Sequence, residues 1–182
     1  MEFKLVTLES KRLVLREIEL SDKLDLYTYA SDIRVAQCMT WDVHQTLADT
    51  DQYLDFIFVQ RQRNGVRPWG IEWKETGTLI GTIDFIWWDT KHQVAEVGYA
   101  LSSDYWGKGI MTEALSAVIN FGFREMNLVR IQAKCVVENI GSARVMEKSG
   151  MTYEGVQRKG ILLKGKHRDL KMYGITNDEF KS

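Results

Sequence analysis

The chain predicts a mixed α/β fold, one domain built on a central sheet flanked by helices. Three observations carry that expectation. The 182 residues match one domain of ordinary size. Near Trp69 the apolar period changes from helical recurrence to strict alternation. Further on, a glycine-bearing turn, Trp106-Gly107-Lys108-Gly109-Ile110-Met111-Thr112-Glu113, joins a strand-like run to a helix-like run. No repeat, low-complexity stretch or linker interrupts the chain, so residues 1–182 read as one unit.

Leu13-Val14-Leu15-Arg16 predicts a first strand. Ser21-Asp22 is a helix N-cap signal, and Leu24, Leu26, Tyr27 and Ala30 follow with helical recurrence. Leu47 to Arg63 predicts a second helix with an apolar stripe of Tyr53, Leu54, Ile57 and Phe58. Trp69, Ile71 and Trp73 then alternate with Gly70 and Glu72, which is strand spacing. Leu79 to Trp88, apolar and rich in β-formers, reads as a central strand between the turns Glu75-Thr76-Gly77 and Asp89-Thr90-Lys91-His92. Val94 to Leu101 completes an antiparallel meander over 69–101. Glu113 to Met126 predicts a helix burying Leu115, Val118, Ile119, Gly122 and Met126. Val129 to Val136 returns to strand, and Ser142 to Ser149 forms a short helix that Gly150 stops. Two closing strands, near Tyr153–Leu163 and Arg168–Ile175, flank Lys164-Gly165-Lys166. A helical crossover separates 94–101 from 129–136, so these two strands are expected to run parallel.

Composition narrows the function classes. With 45% apolar and 27% charged residues, the chain is globular in character. A net charge of −1 argues against a broad electrostatic footprint for nucleic acid or an anionic membrane. The two cysteines, Cys38 and Cys135, make neither a disulfide framework nor a metal-ligand spacing. Their use suits a reducing, cytoplasmic compartment. No apolar stretch nears the roughly 18 residues of a membrane span. Met1-Glu2-Phe3-Lys4 lacks the apolar segment of a signal peptide. His44, His92 and His167 lie scattered in loops with no partner at metal or triad spacing and read as surface residues. The tip Lys164–Arg168 reads as a solvated basic hairpin.

The turn at 106–113 is the feature richest in chemistry. A glycine turn between a strand and a helix N-terminus points several free N–H groups at one spot, an anion cradle suited to a pyrophosphate. From the turn alone, a plain helix start and a phosphate site fit equally.

The surrounding residues add a resemblance. Glu96-Val97-Gly98-Tyr99-Ala100-Leu101, Tyr105-Trp106-Gly107-Lys108-Gly109, Glu138-Asn139-Ile140-Gly141-Ser142-Ala143 and Glu147-Lys148-Ser149-Gly150-Met151 together resemble the GNAT superfamily of acetyl-coenzyme A-dependent N-acetyltransferases. The branch that acetylates ribosomal-protein N-termini looks most similar, through Leu13-Val14-Leu15-Arg16, Trp69-Gly70-Ile71 and Gly165-Lys166-His167-Arg168-Asp169. The resemblance implies a mixed sheet splayed between 94–101 and 129–136. It implies that Trp106, Gly107, Lys108, Gly109, Ile110, Met111 and Thr112 hold the pyrophosphate of acetyl-coenzyme A. It gives Tyr99, Ala100 and Leu101 backbone contacts to the pantetheine arm, one N–H serving as an oxyanion donor. Asn139 faces the same arm, with helix capping by Asn139 or Ser142 as a compatible alternative. Against the family's turn pattern, Gly109 fits, whereas Trp106 and Met111 depart, and Met111 is tolerable if it points into the core. Gly98 is a plausible bulge.

The resemblance implies direct attack of a neutral amine on a thioester. An α-amine, with a pKa of about 7.7–8.0, is roughly a tenth to a fifth neutral at pH 7, and a lysine-like amine only about once in 2,500. Glu96 on the cofactor strand is the candidate base, acting through a water; the alternative is a solvent-facing strand residue paired with a neighbour. The superfamily's tyrosine acid falls at Met146 and is missing. Ser142 stands where the ribosomal branch keeps its serine, and the branch's partner glutamate falls near Ile161, which has no carboxylate. Strand parity puts Trp87 and Trp88 on opposite faces, one toward an acceptor cleft. Residues 20–64 and the last hairpin form the acceptor side. The acceptor expected is the α-amine of a protein, a ribosomal one in the branch's image. A polyamine or aminoglycoside acetyltransferase and a non-catalytic acyl-coenzyme A sensor are the rival readings. No metal, direct nucleic-acid contact or membrane is expected, and exposed strands leave a homodimer open.

Overall fold

In the computed structural model, which describes residues 5–62 and 67–181, the elements follow the predicted order. They are β1 (Leu8–Glu9), β2 (Leu13–Arg16), α1 (Lys23–Ala30), α2 (Ile33–Ala36), α3 (Leu47–Gln62), β3 (Trp69–Trp73), β4 (Thr78–Asp89), β5 (Val94–Leu101), α4 (Ile110–Arg124), β6 (Arg130–Val136), α5 (Ile140–Lys148), β7 (Thr152–Leu163) and β8 (Lys166–Thr176). The predicted end of the second helix, Arg63, and the segment 1–4 lie outside the described residues.

Among the described residues eight strands form one sheet in the order β1-β2-β3-β4-β5-β6-β8-β7. β5 and β6 pair in parallel, as the crossover through α4 requires, and the other neighbours pair antiparallel. Alternation sends every second side chain to each face. Trp69, Phe85, Val97 and Ile131 pack under Leu115, Val118 and Ile119 of α4 and Met146 of α5. Leu79 and Ala100 face the other way, onto Leu26 and Tyr29 of α1 and Leu54 and Ile57 of α3. Met111 is 5% exposed and belongs to the first cluster, so the bulky departure from the family's turn is accommodated inside the core.

Several expectations are corrected. Asp22 stands at the N-cap position of α1, as the signal predicts, but its side chain does not cap the helix. Its carboxylate accepts from both terminal nitrogens of the Arg16 guanidinium at 2.8 Å and from the Glu19 N–H, and this buried ion pair outcompetes the cap. Leu24 faces solvent at 65% exposure, and Tyr29 takes the inward position. The bulge lies in β4 at Ile86, between Phe85 and Trp87, not at Gly98. Gly98 instead makes room for it: a Cβ there would stand 2.8 Å from Ile86 Cγ2. The basic tip is tied down, with Lys164 Nζ 2.7 Å from Asp42 and Arg168 3.2 Å from Glu138. His44 is half-buried, its Nδ1 3.0 Å from the Thr50 hydroxyl, and burial lowers its pKa.

Candidate functional site

The site begins where the sheet opens. β5 and β6 pair at three positions, Val94 with Arg130, Ala95 with Ile131 and Glu96 with Gln132. Beyond that point β5 continues to Leu101 and β6 to Val136 without pairing to each other. β4 still pairs with β5 through Gly81–Leu101, and β8 with β6 through Leu170–Val136. The two halves of the sheet are therefore firm, and the peptide edges at Tyr99, Ala100 and Leu101 border a gap.

At the open end of β5 the chain makes a 3-10 turn, Ser103–Tyr105, and enters the glycine turn. Gly107 and Gly109 both adopt left-handed backbone, with φ of 72° and 71°, a region where a Cβ costs about 1–2 kcal/mol. Gly109 is the N-cap of α4, and the first intrahelical bond runs from Glu113 N–H to Gly109 O at 3.1 Å. The N–H groups of Ile110, Met111 and Thr112 thus have no intrahelical acceptor. Trp106 donates its indole N–H to Leu101 O at 2.9 Å, which fastens the turn to the end of β5. Lys108 Nζ lies 5.3 Å over the Tyr105 ring. Arg12 braces the turn from below: its Nε and main-chain N–H donate to Glu113 at 2.7 and 2.8 Å, and a terminal nitrogen donates to Lys108 O at 3.1 Å. Burial works to raise the Glu113 pKa, but hydrogen bonds from the Arg12 N–H, the Ser10 hydroxyl and the Arg12 side chain prevail and lower it.

Across the gap, Asn139 caps α5. Its Oδ1 accepts from Ser142 N–H at 3.0 Å, so Asn139, and not Ser142, is the cap. That leaves the Ser142 hydroxyl for other work, and it lies 2.8 Å from Tyr99 Oη. Tyr99 also donates to Ser142 O at 3.3 Å. Burial raises the tyrosine pKa, so it is a neutral donor at pH 7. Cys135 is 7% exposed, and burial raises its thiol pKa. Met146, at the position of the missing tyrosine acid, is fully buried.

Glu96 sits at the fork itself and is 2% exposed, so it does not face solvent, but it does have the paired neighbours that the non-catalytic alternative gave it. Its Oε2 accepts from Trp87 Nε1 at 3.2 Å and Gln132 Nε2 at 3.0 Å. Lys134 Nζ stands 2.8 Å from Oε1 in ion-pair contact, although the angles there do not make a hydrogen bond. Trp87 shares this face with Glu96, whereas Trp88 pairs with Ala95 and packs on the α4 side, as strand parity predicts.

The same face carries a group that the sequence reading passed over. Asp84 of β4 is paired with Gly98 of β5, and its Oδ1 lies 3.6 Å from where a Gly98 Cβ would be. Tyr29 of α1 reaches the Thr82 hydroxyl at 3.5 Å, and Tyr53 of α3 approaches the same threonine. Burial alone pushes the half-buried Asp84 carboxyl up to about 7. The available signal was a lone carboxylate inside the apolar run Leu79 to Trp88.

A sheet forked between two parallel strands, with a left-handed glycine turn opening a helix at the mouth of the fork, defines the acyl-coenzyme A fold of the GNAT acetyltransferases. The chain belongs to that family: the profile of the acetyltransferase (GNAT) domain matches residues 12–152. An N-acetyltransferase called p20 from Bacillus licheniformis is 35% identical over 178 residues, covering 96% of this chain and 98% of the relative. The crystal structure of a GNAT-family acetyltransferase from Bacillus anthracis superposes with a TM-score of 0.85 at 31% identity, over 95% of this chain and 99% of that one. The ribosomal-protein-S5-alanine acetyltransferase of Vibrio fischeri superposes with a TM-score of 0.81 at 27% identity, over 97% of this chain and 100% of that one. Structural neighbours have been solved with coenzyme A or acetyl-coenzyme A bound. The chain is an acetyl-coenzyme A-dependent N-acetyltransferase, and its second substrate is an amine. Among the described residues no helix is long and apolar enough to cross a membrane, and no cluster of His, Cys, Asp and Glu could hold a metal.

Proposed function

We propose that the acceptor is the α-amine of a protein N-terminus and that the acetyl-coenzyme A site runs from the glycine turn at 107–112 along the gap between β5 and β6. Bound there, the cofactor supplies an activated acetyl thioester. The observation that carries the reading is the fork: pairing ends at Glu96–Gln132 and frees the Tyr99–Leu101 edge beside Ser142.

Each residue then has a task. The N–H groups of Ile110, Met111 and Thr112 receive the pyrophosphate. Charged hydrogen bonds contribute about 1.5–3 kcal/mol each and the helix terminus up to about 2 kcal/mol. Together these approach the roughly 8 kcal/mol of micromolar binding. Gly107 and Gly109 let the backbone turn toward the phosphates, Trp106 anchors the turn, and Lys108 adds positive charge. Tyr99, Ala100 and Leu101 offer peptide groups to the pantetheine arm, as an added strand would, and Asn139 stands opposite. The Ser142 hydroxyl, held by Tyr99, passes its proton to the departing sulfur and regains one from the acetylated nitrogen. Glu96 ties Trp87 of β4 and Gln132 and Lys134 of β6 to β5, and so sets the width of the fork. The Vibrio fischeri relative's ribosomal substrate supports a protein acceptor. So does the chemistry: an α-amine is about a tenth to a fifth neutral at pH 7 and needs little activation.

Acetylation assays with N-terminal peptides of ribosomal proteins, beside spermine and kanamycin, test the reading. Turnover of peptides whose first residue is small is expected. Turnover of the small amines alone would overturn the protein acceptor.

A further inference from the structure

Asp84 has no place in the cofactor site, yet its surroundings are those of a binding group. It lies on the face turned to α1 and α3, the face opposite α4. Among the described residues no side chain gives its carboxylate a hydrogen bond or an ion pair. Its neighbour on β5 is a glycine, so no side chain at position 98 stands between Asp84 and the gap, where β5 has lost its other partner strand. The polar groups packed around it are neutral hydroxyls, Tyr29 from α1, Tyr53 from α3 and Thr82 two residues earlier in β4. The charged residue of β5 on the same face, Glu96, is already neutralised by Lys134 of β6. A carboxylate without a partner among the described residues, set beside tyrosine hydroxyls and leaning over Gly98 next to Ile86, is a receptor for a cation from outside.

We propose that Asp84 is the docking group for the acceptor amine, binding it as the ammonium ion and accepting its proton. The inference rests on the acetyltransfer reading above and deepens it by naming the residue that selects the amine. The step is a single proton transfer. One N–H bond of the ammonium breaks, an O–H bond forms on Asp84, and nitrogen keeps the electron pair that it needs for attack. Asp84 keeps some contact with solvent, so the proton returns there between turnovers.

The acidity of Asp84 is in keeping with the choice of amine. Burial holds Asp84 at about 7. Against an α-amine near 8 the transfer is uphill by only about tenfold. Against a lysine-like amine near 10.4 it is uphill by about 2,500-fold. Asp84 therefore favours weakly basic amines such as a peptide N-terminus. Tyr29 and Tyr53, raised by burial, stay neutral throughout this range and do not compete for the proton.

The test uses the full-length protein and its Asp84→Asn and Asp84→Ser variants. Coenzyme A affinity by calorimetry is the fold check and is expected to stay within about twofold of wild type. At pH 7 both variants should lose about a hundredfold in kcat/KM for the acceptor, the usual scale of a lost general base. In wild type, kcat/KM should rise through about pH 7, where Asp84 of the free enzyme ionises, and then level off. In the variants the rise should move to the pKa of the amine itself, because only amine already neutral can react. Variants with wild-type kcat/KM and an unmoved pH profile would overturn the proposal, as would a loss of coenzyme A affinity equal to the loss of rate. The acceptor reading fails separately: if spermine alone is acetylated, the protein-substrate reading falls, and the same variants measured on spermine still decide the role of Asp84.

Discussion

Ser142 and Tyr99 illustrate how single residues divide the labour of the site. The backbone N–H of Ser142 completes the Asn139 cap, so its hydroxyl is free to be oriented by Tyr99 at 2.8 Å. Replacing Ser142 with alanine removes that hydroxyl and leaves Tyr99 Oη with its weaker contact to Ser142 O at 3.3 Å. An unsatisfied buried hydroxyl costs about 1–3 kcal/mol, and the remaining acceptor keeps the loss at the low end. Ser142→Ala should therefore fold, bind coenzyme A nearly as well as wild type, and turn over about a hundredfold more slowly. Steady-state kinetics beside calorimetry checks this, and equal rates would remove Ser142 from the mechanism. At this scale the sequence was uneven. Asn139 and Ser142 stood out because they share a short motif. The Tyr99–Ser142 bond spans 43 positions, and no local spacing announces it. The burial of Glu96 was equally hidden, because alternation gives a residue's face but not what covers that face.

Elements were read well where periodicity was long and poorly where a tertiary contact overrode local preference. The meander 69–101 appears as β3, β4 and β5 within about a residue or two. α4 starts at Ile110, three residues before the predicted Glu113, because a left-handed Gly109 caps it without a polar side chain. β1 and α2 have two and four residues, too short for any period to register. The element that matters most to the site is the β4–β5 pair, since β5 has only β4 to hold it beyond the fork. Gly81 is the pinch point. A Cβ there would stand 2.4 Å from Ala100 O and 3.0 Å from Leu101 Cα, and these are backbone atoms that cannot move aside. Gly81→Ala should thus push β5 off its course. Such overpacking costs about 1–3 kcal/mol, or roughly 2–12 °C in Tm for a domain of this size. Coenzyme A affinity should fall with it, since Ala100 and Leu101 border the gap. Thermal melting and calorimetry on the variant measure both, and a variant that keeps wild-type affinity would detach the β5 edge from cofactor binding.

The molecule as a whole is a sheet that gives up strand pairing in its middle. The sequence carried the order of elements, and with it the parallel crossover, but the three-pair limit of β5 and β6 depends on how both halves of the sheet twist against α4 and α5, which no single segment encodes. Unpaired peptide groups on facing edges are costly when dry and are satisfied by water until an arm with its own amides replaces it. Binding at the fork should therefore stabilise the entire fold. Linkage gives about 2.7 kcal/mol at a ligand concentration of 100 Kd, and at roughly 2–4 °C per kcal/mol for this chain length the Tm should rise by about 5–11 °C. Coenzyme A and pantetheine, each added at a hundred times its own measured Kd, separate the two ends of the site. Both should produce the same shift in Tm, but hydrogen exchange at the 97–101 amides should slow with either ligand, whereas the 110–112 amides should slow with coenzyme A alone. Unchanged exchange at 97–101 under saturating coenzyme A would mean that the gap is not where the arm lies, and the assignments of Tyr99, Ala100 and Leu101 would fall together.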